Sequence, residues 1–131
     1  MGQVIQPKEL PAPEPYSLGY KVGDTLWVAG QTAVDDNGQL VGLGDPKAQA
    51  ECIYRRIGLI LKEAGAVPQD VTMMRTYLTD MRYQPIVREV RSAFFAGHKP
   101  ASTSVQVVAL AQPQFLMEVE VVAVVGQSRG G

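Results

Sequence analysis

The run over residues 115–125, F-L-M-E-V-E-V-V-A-V-V, limits the fold more than any other stretch of the chain. Side chains alternate across a strand. Phe115, Met117, Val119 and Val121 therefore face one side, and Leu116, Glu118, Glu120, Val122 and Val124 face the other. A strand that is apolar on both faces has to be covered on both. Residues 100–110, P-A-S-T-S-V-Q-V-V-A-L, form a second run, closed by a turn around Gln112 and Pro113. The two runs read as paired β-strands of a buried sheet. Glu118 and Glu120, with the hydroxyl cluster Ser102, Thr103 and Ser104, are the polar intrusions on this interior pattern. They mark the region expected to carry function.

The preceding chain supplies the rest of a sheet and two helices. Pro7, Pro11, Pro13 and Pro15 make residues 1–15 an extended lead, at most an edge strand. Residues 16–22 and 25–29 read as a hairpin about Gly23-Asp24, with Gly30 marking a bulge or a close backbone approach. Asp45-Pro46 opens a helix as N-cap and first helical residue. Its apolar stripe is Ile53, Ile57, Ile60, Leu61 and Ala64, and Gly65 stops it. Cys52 beside that stripe reads as a small hydrophobe. Residues 71–79 form a central strand in which Arg75 needs a carboxylate partner. A second helix over 84–96 carries a core stripe of Ile86, Val90, Ala93 and Phe94, with Arg88, Arg91 and Phe95 on another face and Gly97 as stop. The order β-β-α-β-α-β-β, with an optional N-terminal strand, predicts one α+β domain with both helices on one sheet face. The tail, 127–131, is expected to fray. Two helices cover only one face, so the other calls for a second subunit, and a homo-oligomer packed sheet against sheet follows.

Composition excludes several kinds of chemistry. Twelve Lys+Arg against 13 Asp+Glu leave a net charge of −1 and no basic surface for nucleic acid. Cys52 and His98 are the single cysteine and histidine, so one chain cannot assemble the usual zinc site or a disulfide. No phosphate-binding or dinucleotide fingerprint occurs, and no cofactor is implied. No run approaches the roughly 20 apolar residues of a membrane span, and residues 1–11 hold no signal core. The cytoplasm is the expected setting.

Several motifs in this order resemble one family. They are Glu14-Pro15-Tyr16-Ser17, Val28-Ala29-Gly30-Gln31-Thr32, Ala64-Gly65, Tyr77-Leu78-Thr79-Asp80, Ala93-Phe94-Phe95, Pro100-Ala101 and the 118–124 run E-V-E-V-V-A-V. Together they resemble the Rid family, also called the YjgF family. The resemblance implies a chorismate-mutase-like α+β fold, a homotrimer with a barrel of sheets at its core, and a small-molecule site at each subunit boundary. It also implies metal-independent hydrolysis of reactive enamines or imines to a keto acid and ammonia. By position, Tyr16 matches a pocket tyrosine, Ala29 stands where a pocket serine precedes Gly30, Gln31 follows, and Glu120 matches the glutamate that positions water. The family's deaminating members carry an arginine where this chain has Ser102, and often a cysteine at Ser104. Arg88 on the second helix is then the first candidate to hold an anionic group, ahead of Lys99 and Arg75, with Thr103 beside the hydroxyls. Glu118 is assigned to ion pairing across the sheet, for example with Arg75; Glu120 stays open between pairing and proton transfer. Two functions follow: a deaminase-like hydrolase, or a non-catalytic ligand-binding trimer that lost activity with the arginine. An endoribonuclease finds no support in the residues.

Overall fold

The computed structural model describes residues 1–130. Six strands form one mixed sheet in the order β1-β2-β3-β6-β4-β5. They are β1 (Gly2–Ile5), β2 (Gly19–Val22), β3 (Thr25–Gln31), β4 (Val71–Leu78), β5 (Ala101–Gln106) and β6 (Met117–Val124). Helices α1 (Pro46–Glu63) and α2 (Gln84–Phe95) pack together on one face. The α+β layering expected from the residue pattern is the observed one.

Local chemistry explains the boundaries of α1. Asp45 accepts a hydrogen bond from the Ala48 N–H at 3.1 Å and caps the helix, and Pro46 follows in the first turn. Gly65 takes φ +81 just past the end, a conformation open to glycine without strain. Ile53, Ile57, Ile60 and Leu61 point into the core against Leu26, Val119 and Val121. Helix α2 starts where read, but its buried stripe is turned. Val87 and Phe95 are buried, Val90 and Phe94 pack beside them, and Ala93 is exposed. Phe95 belongs to the core because an aromatic cluster joins the helices there: Phe94 stands 5.1 Å from Tyr54 and from Phe95, ring centre to ring centre.

Strand β6 shows the anticipated alternation. Met117, Val119, Val121 and Ala123 are buried under the helices, and Glu118, Glu120, Val122 and Val124 are half-exposed on the other face. The expected pairing of the last two strands is corrected. Strand β5 runs parallel to β4, and β4 lies between β5 and β6. The reason is the crossover: parallel strands need a long connection, and α2 supplies it between Leu78 and Ala101. Strand β5 is consequently an open edge rather than an interior strand.

Both termini make contacts with the body of the fold. Strand β1 pairs with β2, and Ile5 and Leu10 of the lead are buried. In the tail, Gln127–Arg129 form a 3-10 turn, and Ser128 Oγ donates to Asp70 Oδ1 at 2.7 Å. Residue 131 lies outside the described residues.

Candidate functional site

The face of the sheet turned away from the helices carries the candidate site. In register across it stand Glu120 of β6, Arg75 of β4 and Thr103 of β5. One row further come Glu118, Tyr77 and Val105. Tyr77 donates its hydroxyl to Glu120 Oε1 at 2.6 Å, and Arg75 Nη1 lies 3.7 Å from the same oxygen. These contacts hold the Glu120 carboxylate in one position. Accepting a bond from Tyr77 favours the phenol over the phenolate, so the Tyr77 pKa is raised.

The ion pair expected for Glu118 is made by Glu120. Arg75 pairs with Glu120, not Glu118, and so is not a free anion holder. Glu118 has neither hydrogen-bond nor ion-pair partner among the described residues, and burial, with Glu120 nearby, raises its pKa. Its carboxylate lies over Gly30. A Cβ built on Gly30 would collide with Glu118 Oε2, so only glycine leaves room for it. The same glycine sits in a bulge: Val28 pairs with Val121 and Gln31 with Val119, one residue more on β3 than on β6.

A cavity of about 220 Å³ opens beside Glu120, lined by Ser17, Trp27, Ala29, Arg75 and Val122. Ala29 of the expected pocket is there. Tyr16 is 55% exposed in the bend before β2, next to Ser17 but outside the lining. Gln31 points the other way: buried, it accepts from Arg56 Nε at 3.0 Å and donates to Ala29 O at 2.9 Å. It fixes the bulge and does not reach this cavity.

The remaining expected residues lie elsewhere. Ser102 is in register with Met74 and Ser104 with Thr76, on the helix face. Ser104 accepts from Gln84 Nε2 at 3.2 Å. Ser102 and Arg88 line a second cavity, of about 380 Å³, between α2 and β5, together with Arg91 and Lys99. Within one chain, then, Glu120 and Ser102 occupy opposite faces of the sheet. Thr103 alone of the hydroxyl cluster shares the face of Glu120. Cys52 is half-buried, its thiol 3.4 Å from Val34 O and its pKa raised by burial. No group of three or more His, Cys, Asp or Glu among the described residues is arranged to hold a metal ion.

Several buried polar residues escaped the pattern reading. Gln49, fully buried, donates to Gly42 O and Gln114 O and accepts from the Leu116 N–H, tying α1 to both ends of the core. Arg56 is buried against neutral partners only, Gln31 Oε1 and Val34 O, and burial depresses its pKa. Asp70 is buried too. Burial pushes its pKa up, but the Ser128 hydroxyl and N–H, with the N–H groups of Val67 and Gly126, outweigh that and hold it at about 2. Nothing in spacing distinguishes such residues from solvated ones.

Comparison with known proteins bears on family and fold. The family described as Endoribonuclease L-PSP matches residues 6–125. A RutC family protein of Pyrococcus abyssi is 38% identical over 123 residues, 92% of this chain and 95% of that protein. The 3-aminoacrylate deaminase RutC of Acinetobacter baylyi is 33% identical over 122 residues, 92% of this chain and 96% of that protein. Among solved structures, a Rid family protein of unknown function from Yersinia pestis, YyfA, superposes with a TM-score of 0.90 at 29% identity, covering 95% of this chain and all of that one. RidA from an Antarctic Psychrobacter gives 0.87 at 33% identity, covering 94% of this chain and 99% of that one. With nearly the whole length matched in sequence and in fold, the chain belongs to the YjgF/Rid family, described as Endoribonuclease L-PSP.

Proposed function

We propose that this protein hydrolyses a small enamine or imine to a carbonyl compound and ammonia, with Glu120 positioning the attacking water. The observation that carries the reading is the fixed carboxylate. Glu120 is oriented by Tyr77 and Arg75 at the edge of a cavity large enough for a small metabolite. A similar relative, 33% identical over 92% of this chain, is a 3-aminoacrylate deaminase. In the proposed reaction an enamine first takes a proton on its β carbon, or an imine on its nitrogen, to give the iminium. Water adds to the C=N carbon of that iminium while Glu120 takes its proton and passes it to the nitrogen of the carbinolamine; the C–N bond then breaks as C=O forms, and the hydroxyl proton leaves with ammonia as ammonium. No electron transfer is involved.

The open sheet face supports the oligomer in this reading. Tyr20, Trp27, Val122 and Val124 lie together there, with Trp27 47% exposed. A homotrimer packed through these faces covers them. The ligand-binding alternative draws on one feature: Ser102 offers no charge where deaminating relatives are expected to carry arginine. An ammonia-release assay separates the two. With imino acids generated in situ by an amino-acid oxidase, the hydrolase accelerates ammonia release beyond the spontaneous rate. A binding protein leaves that rate unchanged.

A further inference from the structure

Glu120 faces an irregular stretch of β3. Val28 pairs with Val121 and Gln31 with Val119, so Ala29 and Gly30 together stand against the single residue Glu120. An extra residue breaks the ladder, and the freed main-chain groups need other partners. The Ala29 N–H donates to Leu18 O at 2.9 Å, and Ala29 O accepts from the Gln31 side-chain amide at 2.9 Å. That amide is held in turn by Arg56 of α1, whose Nε donates to Gln31 Oε1 at 3.0 Å and whose Nη1 donates to Val34 O at 3.2 Å. A chain of hydrogen bonds thus runs from the helix layer to Ala29, which lines the cavity beside Glu120.

The chemistry of the three groups allows one arrangement. Guanidinium N–H groups only donate and a main-chain carbonyl only accepts, so Gln31 turns its oxygen to Arg56 and its nitrogen to Ala29. The charged donor makes the first bond the stronger one and polarises the amide toward the second. Stability alone gives a poor account of Arg56. The residue is 5% exposed and pairs with no carboxylate among the described residues, since the nearby Asp36 is taken by Arg55. Burying a charge against neutral groups is unfavourable, and an apolar side chain of similar bulk would fill the position with less loss. What the guanidinium adds is orientation, because its fixed fork holds Gln31 and Val34 at once.

We propose that Arg56 is a positioning residue for the reaction: through Gln31 it fixes the Ala29–Gly30 bulge opposite Glu120, and so the cavity wall against which the C=N group is presented to water. As a statement about catalysis the proposal rests on the deaminase reading; as a statement about the bulge it does not.

Gln31→Glu tests the chain of bonds at its middle. A glutamate there keeps the shape and still accepts from Arg56, whose charge holds it ionised, but it cannot donate to Ala29 O. Two measurements are made on each variant: residue-resolved amide hydrogen exchange, and kcat and KM for ammonia release well below the melting temperature. In Gln31→Glu the melting temperature is kept, the Ala29 amide exchanges at least about tenfold faster while the amides of α1 stay protected, and kcat falls at least about tenfold with KM changed less than about threefold. Arg56→Met gives the same fall in kcat, and Arg56→Lys, which keeps the charge but not the fork, recovers part of it. Arg56→Met combined with Gln31→Glu lowers kcat no further than the worse single variant. Unchanged Ala29 exchange or unchanged kcat in Gln31→Glu overturns the proposal, as does a full additional loss in the double variant. The two readings fail separately. Faster Ala29 exchange in the variant, with no ammonia release by the unaltered protein, sinks the deaminase and leaves Arg56 as the holder of the bulge. Ammonia release that Gln31→Glu leaves unaltered sinks the positioning role and leaves the deaminase.

Discussion

Glu118 and Glu120 stand two residues apart on one face of β6 in opposed electrostatic settings. Glu120 receives the Tyr77 hydroxyl at 2.6 Å and has Arg75 at 3.7 Å; Glu118 has no such partner and lies against the Gly30 backbone. Tyr77 and Arg75 therefore orient Glu120. Under the proposed role of Glu120, removing either donor is expected to lower kcat more than ligand affinity.

The contact between Gly30 and Glu118 is testable by a double-mutant cycle. Gly30→Ala places a methyl where Glu118 Oε2 lies, and the carboxylate must shift. The single variant is expected to lose about 1–3 kcal/mol in urea unfolding, the usual cost of overpacking. Combined with Glu118→Ala, most of that loss returns, giving a coupling of about 0.5–3 kcal/mol. Strictly additive losses exclude the contact.

Gln49 predicts a larger effect away from any chemistry. Gln49→Leu keeps the bulk but strips partners from Gly42 O, Gln114 O and the Leu116 N–H. Each buried group left unpaired costs about 1 kcal/mol or more. The expected sum is about 3 kcal/mol, a fall in Tm of roughly 10 °C by calorimetry.

Asp70 contributes to acid stability. Its folded pKa, about 2, lies below the ordinary 3.8, so the unfolded chain takes the proton first. The stabilisation is complete above pH 3.8 and disappears as pH falls through about 2. Asp70 lies just beneath the surface, and solvent screening trims its contribution to about 1–2 kcal/mol at neutrality. Asp70→Asn is expected to lose that amount at pH 7 and nothing near pH 2, so unfolding midpoints measured across pH converge at the acid end.

Much of this was legible in the chain, and the misreadings share a cause. The Asp45-Pro46 start of α1 and the two-faced pattern of β6 depend on neighbours in sequence, and both are present. Strand pairing depends on partners far along the chain. Residues 100–106 and 115–125 look like a hairpin until α2 is recognised as the crossover that sends β5 alongside β4. Alternation put both glutamates on the right face, but register decided which of them meets Arg75. The buried stripe of α2 was misplaced because Phe95 answers to Tyr54 and Phe94, not to spacing alone. Gln49, Arg56 and Asp70 are buried by hydrogen bonds to distant main-chain and side-chain groups, a signal absent from periodicity.

The open sheet face carries an oligomer prediction. Light scattering at micromolar concentration is expected to give about three times the 14.2 kDa chain mass. Trp27→Glu, at the centre of that face, is expected to shift the mass toward a single chain without unfolding it, because Trp27 is exposed within one chain. A wild-type mass of 14.2 kDa contradicts the assembly.

The most direct test of the account is the initial rate of ammonia release from an enamine or imine acid, measured for the unaltered protein and for Glu120→Gln. Glutamine preserves the shape and the acceptor for Tyr77 but cannot take a proton. The account predicts clear acceleration by the unaltered protein and a loss of at least about 100-fold in Glu120→Gln, the scale of general-base catalysis. No acceleration, or equal rates for the two proteins, would contradict it.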